Sequence, residues 1–256
     1  MNASASVVPP VPSRLSSAHR RRLREVWRSA GWPVHDLLEA ELLAAGLLER
    51  QHDAQGRCTL RVTDAGVQTL AESAASHRAA RSAHETLVEQ VAHALIRDGR
   101  IAWRGLALRA RVATEAGEAW QMAMPDVYSV RHTSVAACLQ PMVHEIKVRR
   151  ADLLADLRQP AKRAAYFDMA GALCYVLADG VGEADEIPPE CGVMMLRGER
   201  LETLRATPAR ALPHEAGLPF MVWMALARAT PVPSPDPDQR LLGDDLTQPP
   251  CPDPFP

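Results

Sequence analysis

Met124-Pro125-Asp126-Val127-Tyr128-Ser129-Val130 and Pro141-Met142-Val143-His144-Glu145-Ile146-Lys147-Val148 are the two stretches on which the reading of this chain turns. Each is a short apolar, β-branched run behind a proline, which predicts strands over Asp126 to Val130 and Pro141 to Val148. Side chains alternate along a strand, so Glu145 and Lys147 share one face while Ile146 takes the other. Asp126, nineteen positions earlier and opening the neighbouring strand, is placed to converge with them. Two charged side chains on one face of an apolar strand are costly to bury without a partner. A divalent cation is such a partner.

Working outward, Leu87, Val88, Val91 and Leu95 recur at helical spacing and predict a helix from about Ala83 that ends at Asp98-Gly99. Ile101 to Arg111 reads as one strand, and Ala113 to Ala119 as a loop. Helices alternating with strands predict an α/β domain over 83–229. Beyond Thr230 the chain is rich in proline and is expected to form a tail, 230–256, that packs no core. Residues 1–14 are small, polar and proline-rich, and predict a disordered N-terminus.

Between these ends, 15–81 reads as a smaller module. Leu23, Val26 and Trp27 predict a helix from Ser16 to Ala30. A second helix, Val34 to Ala45, stops at Gly46, and Leu47 to Arg50 and Cys58 to Val62 form a hairpin. Thr63-Asp64 then caps a helix running to about Arg81. The stretch Glu41 to Leu70, with its Thr63-x-x-Gly66 turn, resembles the recognition-helix end, wing and following turn of winged-helix regulators. The helix in the recognition position carries Asp36, Glu39 and Glu41, which a phosphate backbone would repel. Arg20, Arg21 and Arg22 and the wing residues Arg57 and Arg61 are the better candidates to touch DNA. A homodimer contact through this module is the alternative use.

The Pro125-Asp126 and Glu145-x-Lys147 signature resembles the PD-(D/E)XK nuclease superfamily. That resemblance implies a mixed β-sheet flanked by helices, a restriction-endonuclease-like core, and hydrolysis of phosphodiesters with Mg²⁺ or Mn²⁺. It implies that Asp126 and Glu145 hold the metal together with the Ile146 carbonyl, and that Lys147 orients the attacking water or stabilises developing charge. It also implies a supporting acid from the first helix, for which Glu85 and Glu89 are both candidates. Arg150, Ala151, Asp152, Asp156 and Tyr166 further resemble the pattern of MmcB-type DNA repair proteins of that superfamily. Val148-Arg149 replaces a small polar pair of that pattern, and Gly171 stands where an aspartate is usual.

Only two of the 29 basic residues are lysines, Lys147 and Lys162, so a lysine in this chain invites a chemical explanation. An ammonium is a compact donor whose pKa moves, whereas a guanidinium is flat and always charged. Arg149, Arg150, Arg158, Lys162 and Arg163 after the signature form a basic stripe suited to phosphates. A formal charge of -2 excludes a globally basic coat. The five cysteines have no C-x-x-C pair and read as reduced thiols. No secretory signal and no apolar run long enough to span a bilayer are present, which predicts a cytoplasmic protein without membrane contact. The absence of a G-x-x-x-x-G-K-[ST] motif predicts no nucleotide cofactor. The expectation is therefore a DNA-processing nuclease. The alternatives are a DNA-binding regulator or a repair-complex interaction protein that retains the fold without turnover.

Overall fold

The computed structural model describes residues 15–114, 117–198, 200–208 and 217–234, which divide into two compact units at Ala79/Ala80. The expected terminal segments 1–14 and 235–256 lie outside the described residues.

In the first unit, α1 (Ser17–Arg28) opens on a Ser16 cap. Its Oγ accepts the His19 N–H at 3.3 Å, and His19 Nδ1 accepts the Ser16 N–H at 3.2 Å. Histidine thus fills the place that Glu or Gln takes in a capping box. The other ring nitrogen, Nε2, lies 2.5 Å from Glu41 of α2 (Leu37–Ala44). β1 (Leu48–His52) and β2 (Cys58–Val62) pair antiparallel, with Leu48 opposite Val62. Leu23, Val26, Leu42, Leu47, Leu48, Leu60 and Val62 make the core. Gly31 is required here: its φ is +76°, and a Cβ would sit 2.0 Å from the Leu60 carbonyl oxygen. The Leu60 N–H in turn donates to the Gly31 carbonyl at 2.7 Å.

Asp36, which caps α2, and Glu39 and Glu41 within it all have local partners. Asp36 caps the helix by accepting the Glu39 N–H at 2.8 Å. Glu39 is buried and accepts the N–H groups of Val34 and His35, and Glu41 pairs with His19. Each carboxylate is consumed by a local donor, as buried or capping acids must be.

The two helices expected on either side of residue 82 are one helix, α3 (Asp64–Arg97), which starts in the first unit and ends in the second. Residues 71–83 are rich in alanine and contain no glycine or proline, so nothing ends the helix where the hydrophobic pattern changes. After it come β3 (Arg100–Arg104), β4 (Leu108–Thr114), β5 (Gly117–Ala123), β6 (Val127–Arg131) and β7 (Met142–Lys147). Then follow α4 (Arg150–Leu157), α5 (Pro160–Ala170), β8 (Leu173–Leu177), β9 (Gly192–Arg197), β10 (Arg200–Arg205) and α6 (Phe220–Arg228). The single strand expected over Ile101 to Arg111 is broken by Gly105 at φ +66° into β3 and β4. The expected loop 113–119 instead lends its ends to a separate β4–β5 hairpin.

Six strands form a mixed sheet in the order β10-β9-β8-β7-β6-β3, in which β7, β8 and β9 run parallel and the others antiparallel. β7 and β8 are buried along their whole length, as parallel strands covered on both faces should be. Ala102, Val127, Ile146 and Val176 pack with Leu87, Val88, Val91 and Leu95 of α3 on one face. Tyr128, Val143, Leu173, Tyr175 and Leu177 pack with Leu153 of α4 and Tyr166 and Met169 of α5 on the other. The second unit is thus a mixed sheet flanked by helices, as expected.

The start of the proline-rich tail departs from expectation. The Val232 N–H donates to the Ala102 carbonyl at 2.8 Å, and its side chain packs on the α3 layer. An unpaired β3 edge supplies acceptors that composition does not reveal. Cys58, Cys174 and Cys191 are free thiols, but Cys138 is disulfide-bonded. Among the described residues no helix is long and apolar enough to cross a membrane.

Candidate functional site

The antiparallel register of β6 on β7 sets Val127 opposite His144, so Asp126, one residue earlier, comes opposite Glu145. Asp126 Oδ2 accepts the Ile146 N–H at 2.7 Å, which fixes its carboxylate against β7. Glu145 and Lys147 share one face of that strand, and Lys147 Nζ donates to Glu145 Oε1 at 2.7 Å. Asp126 therefore stands across the β6–β7 pair from Glu145, while Glu145 and Lys147 are hydrogen-bonded to each other on one face of β7. Both Glu145 and Lys147 are buried.

The structure adds partners from the helices above. Lys162 on α5 reaches down so that its Nζ lies 2.6 Å from Glu145 Oε1 and 2.5 Å from Asp156 Oδ1. Lys147 Nζ is 3.4 Å from the same Asp156 oxygen. The two lysines of the chain thus converge on one carboxylate oxygen. The Tyr166 hydroxyl donates to Glu145 Oε2 at 2.9 Å, with the Met124 carbonyl as a second acceptor at 3.3 Å. The Tyr175 hydroxyl donates to Asp156 Oδ2 at 2.7 Å. Tyr175 stands beside Glu145 in the parallel β7–β8 register.

Electrostatics follow from this packing. Burial pushes the Asp156 carboxyl up, but Lys147, Lys162 and the Tyr175 hydroxyl outweigh it and hold the group below the usual carboxylate range. Burial likewise pulls Lys162 down, and Glu145 and Asp156 more than restore it. Tyr166 and Tyr175 are pushed far up by burial and by the carboxylates they serve, so both stay as donors. Two acids and two lysines balance in charge, which makes their burial tolerable.

His84 of α3 lies on the other side of Asp126, with Nε2 3.4 Å from Oδ1, and this contact raises its pKa. His84, Glu85, Arg104 and Asp126 line a cavity of about 530 Å³. This separates the two supporting acids. Glu85 lines the cavity, where it pairs with Arg104 at 3.2 Å, whereas Glu89 is exposed and is not part of that lining. The group that touches Asp126 from α3 is His84.

Several of the expected DNA-contacting residues are engaged elsewhere. Lys162 belongs to the buried network, not to an open stripe. Arg150 makes a two-pronged pair with Glu186, at 2.6 and 2.5 Å, and Arg163 donates to the Leu157 carbonyl at 2.8 Å. In the first unit Arg22 is mostly covered and lies beside Asp36 and Glu39, while Arg21 pairs with Glu25 and Arg57 with Asp53. Arg149 is half-buried; Arg20, Arg61 and Arg158 are exposed.

The scarcity of lysine was the signal that pointed to Lys162, although not to its destination. Tyr175 required the β7–β8 pairing, which no local pattern encodes. His84 carried no signal, since a lone histidine on a helix is ordinary.

Asp126 and Glu145 are tested as ligands by their donor chemistry. Both offer hard oxygens, although Glu145 Oε1 already holds two ammonium groups within 2.7 Å, which compete with a cation for that oxygen. Among the described residues no three His, Cys, Asp or Glu side chains gather as a metal cage. An ion that keeps most of its waters needs only one or two carboxylates, and these two residues fit such an ion in kind.

Comparison with known proteins adds little. No family model matches the chain, and no curated protein matches it. A solved structure, a protein of unknown function from Silicibacter pomeroyi, is similar at 20% identity over 55% of this chain and 79% of that one, with a TM-score of 0.38.

Proposed function

We propose that this chain is a metal-dependent nuclease that hydrolyses DNA phosphodiesters. The observation that carries the reading is the placement of Asp126 across the β6–β7 pair from the hydrogen-bonded Glu145 and Lys147, the three positions of the PD-(D/E)XK signature. When bound, Mg²⁺ or Mn²⁺ supplies a Lewis acid and a water of lowered pKa. Asp126 and Glu145 would hold it. Lys147 would set its ammonium beside the phosphoryl oxygens on which negative charge builds in the transition state, and burial makes such a contact count for more than it would in water. Tyr166 holds Glu145 in one orientation, and Tyr175 does the same for Asp156, so the network is set before substrate arrives. Arg104 at the cavity and the exposed Arg158 beyond α4 supply cations for the flanking phosphates.

The test is incubation of the full chain with supercoiled and single-stranded DNA in Mg²⁺ or Mn²⁺. Cleavage that EDTA stops, and that Lys147→Ala abolishes while DNA binding persists, is the expected result. Absence of cleavage on every DNA form with both metals refutes the reading.

A second reading rests on the first unit, which would act as a winged-helix module. Trp27, Trp32, Val34 and Leu37 are exposed there, an apolar group that suits a homodimer or partner contact better than DNA. On that reading the chain binds DNA or a repair complex without turnover. A concentration-dependent dimer that Trp32→Ala dissolves, with no cleavage, favours it.

A further inference from the structure

The nuclease reading uses one lysine, yet two end on Glu145. Lys147 comes from the same strand as its partner and is 9% exposed at the side chain, whereas Lys162 comes from α5 and is 24% exposed. Every other member of the cluster has a substitute partner if Lys162 withdraws. Glu145 keeps Lys147 and the Tyr166 hydroxyl; Asp156 keeps Lys147 and the Tyr175 hydroxyl. Lys162 can therefore leave without orphaning a buried charge, and it is the more exposed of the two lysines.

Resting on the nuclease reading, we infer that Lys162 is a displaceable internal counter-ion that holds Glu145 Oε1 in the free protein and moves to a substrate phosphate when a divalent ion takes that oxygen. Three points support it. The first is place: Glu145 is a ligand that the signature needs, and its Oε1 is held by Lys162 at 2.6 Å. The second is charge: with Asp126, the other proposed ligand, three acids stand against two lysines, so a dication entering without the departure of an ammonium leaves a buried positive excess, and that departure restores neutrality. The third is anchorage: Lys162 sits in the first turn of α5, beside the partly exposed end of the cluster, and its stem passes Tyr166 with the ammonium 5.4 Å from the ring centre. Its four-carbon stem lets the ammonium swing while the helix stays still. The free protein should thus bind metal weakly and the DNA complex tightly, because phosphate gives Lys162 somewhere to go.

The experiment is Mn²⁺ binding to the full chain without DNA, read from the EPR signal of free Mn²⁺. Wild type is compared with Lys162→Gln, Lys162→Met and Asp126→Asn. Loss of one ammonium beside the ion is expected to tighten Mn²⁺ roughly tenfold, and Asp126→Asn should remove the site. Equal or weaker binding in both Lys162 variants, with binding still dependent on Asp126, overturns the counter-ion and leaves the nuclease reading standing. No Mn²⁺ binding in wild type or in either Lys162 variant overturns both. A second measurement does not depend on those variants folding. With ¹⁵N-lysine labelling the chain gives two side-chain ammonium signals, assigned with Lys147→Arg. Saturating Mg²⁺ should shift that of Lys147, which stays beside the ion, and should broaden that of Lys162 as its ammonium is released, and a Lys162 signal unmoved by Mg²⁺ overturns the inference.

Discussion

Replacing Lys147 by Met removes one charge from a buried, balanced group while conserving most of the side-chain volume. Breaking a buried ion pair by deleting one partner costs about 3–5 kcal/mol when the other charge is left alone. Here neither acid is left alone. Glu145 retains Lys162 and Tyr166, and Asp156 retains Lys162 and Tyr175, each at hydrogen-bonding distance. The expected loss is therefore that of a charged hydrogen bond at 2.7 Å and an ion pair at 3.4 Å, about 1–3 kcal/mol. Because the chain has two units, a single unfolding curve would mix them. Native-state hydrogen exchange of the Val143 amide, which donates to the Ala172 carbonyl, reports the second unit alone. Its opening free energy should fall by that amount, and adding Glu145→Gln should restore part of it by removing the surplus negative charge. An opening free energy within about 0.5 kcal/mol of wild type would show that Lys147 is not tied into the network, and the argument for the site would fail with it.

Tyr175→Phe deletes the hydroxyl that holds Asp156 and should cost about 1 kcal/mol in the same exchange measurement, with cleavage slowed less than by any change at Lys147. A loss of cleavage equal to that of Lys147→Ala would show that Tyr175 has a direct part in the reaction. Gly31→Ala forces a Cβ onto the Leu60 carbonyl at a left-handed backbone position and should destabilise the first unit by about 2 kcal/mol or more, read from exchange of the Leu60 amide. Unchanged protection there would refute the close approach. Glu186 is held down to about 2 by its hydrogen bonds from Arg150, with the Glu183 N–H contributing. A depressed carboxyl stabilises above its unfolded value of about 4.5 and loses that contribution as pH falls toward 2. Glu186→Gln should therefore lower the melting midpoint at pH 7 by an amount that shrinks between pH 4.5 and pH 3; a pH-independent gap would mean that the pair is not ionic.

The parts of the site legible in advance were those set by period and composition. Alternation along 142–147 places Glu145 and Lys147 together, and the apolar run before them marks a doubly covered strand. What escaped was set by pairing between distant segments. Tyr175 enters because β8 lies parallel to β7 in one register, and His84 because α3 crosses the sheet near Asp126. Lys162 was noticed for its rarity and assigned to a phosphate stripe, because i, i+4 reasoning on a helix cannot say that the helix leans over a strand. The single helix α3 was read as two, since a change in hydrophobic face resembles a boundary although no residue there breaks a helix. In each case tertiary contacts supplied what local pattern could not.

With both lysines of the sequence at one carboxylate, the chain carries its ε-amines only where the proposed chemistry takes place. Reagents that acylate amines, or an acetyltransferase, would find the α-amino terminus and otherwise little except this cluster. Mass spectrometry of the modified chain would then report occupancy of the cluster directly, as protection when it is closed and as labelling of the α5 amine when it opens.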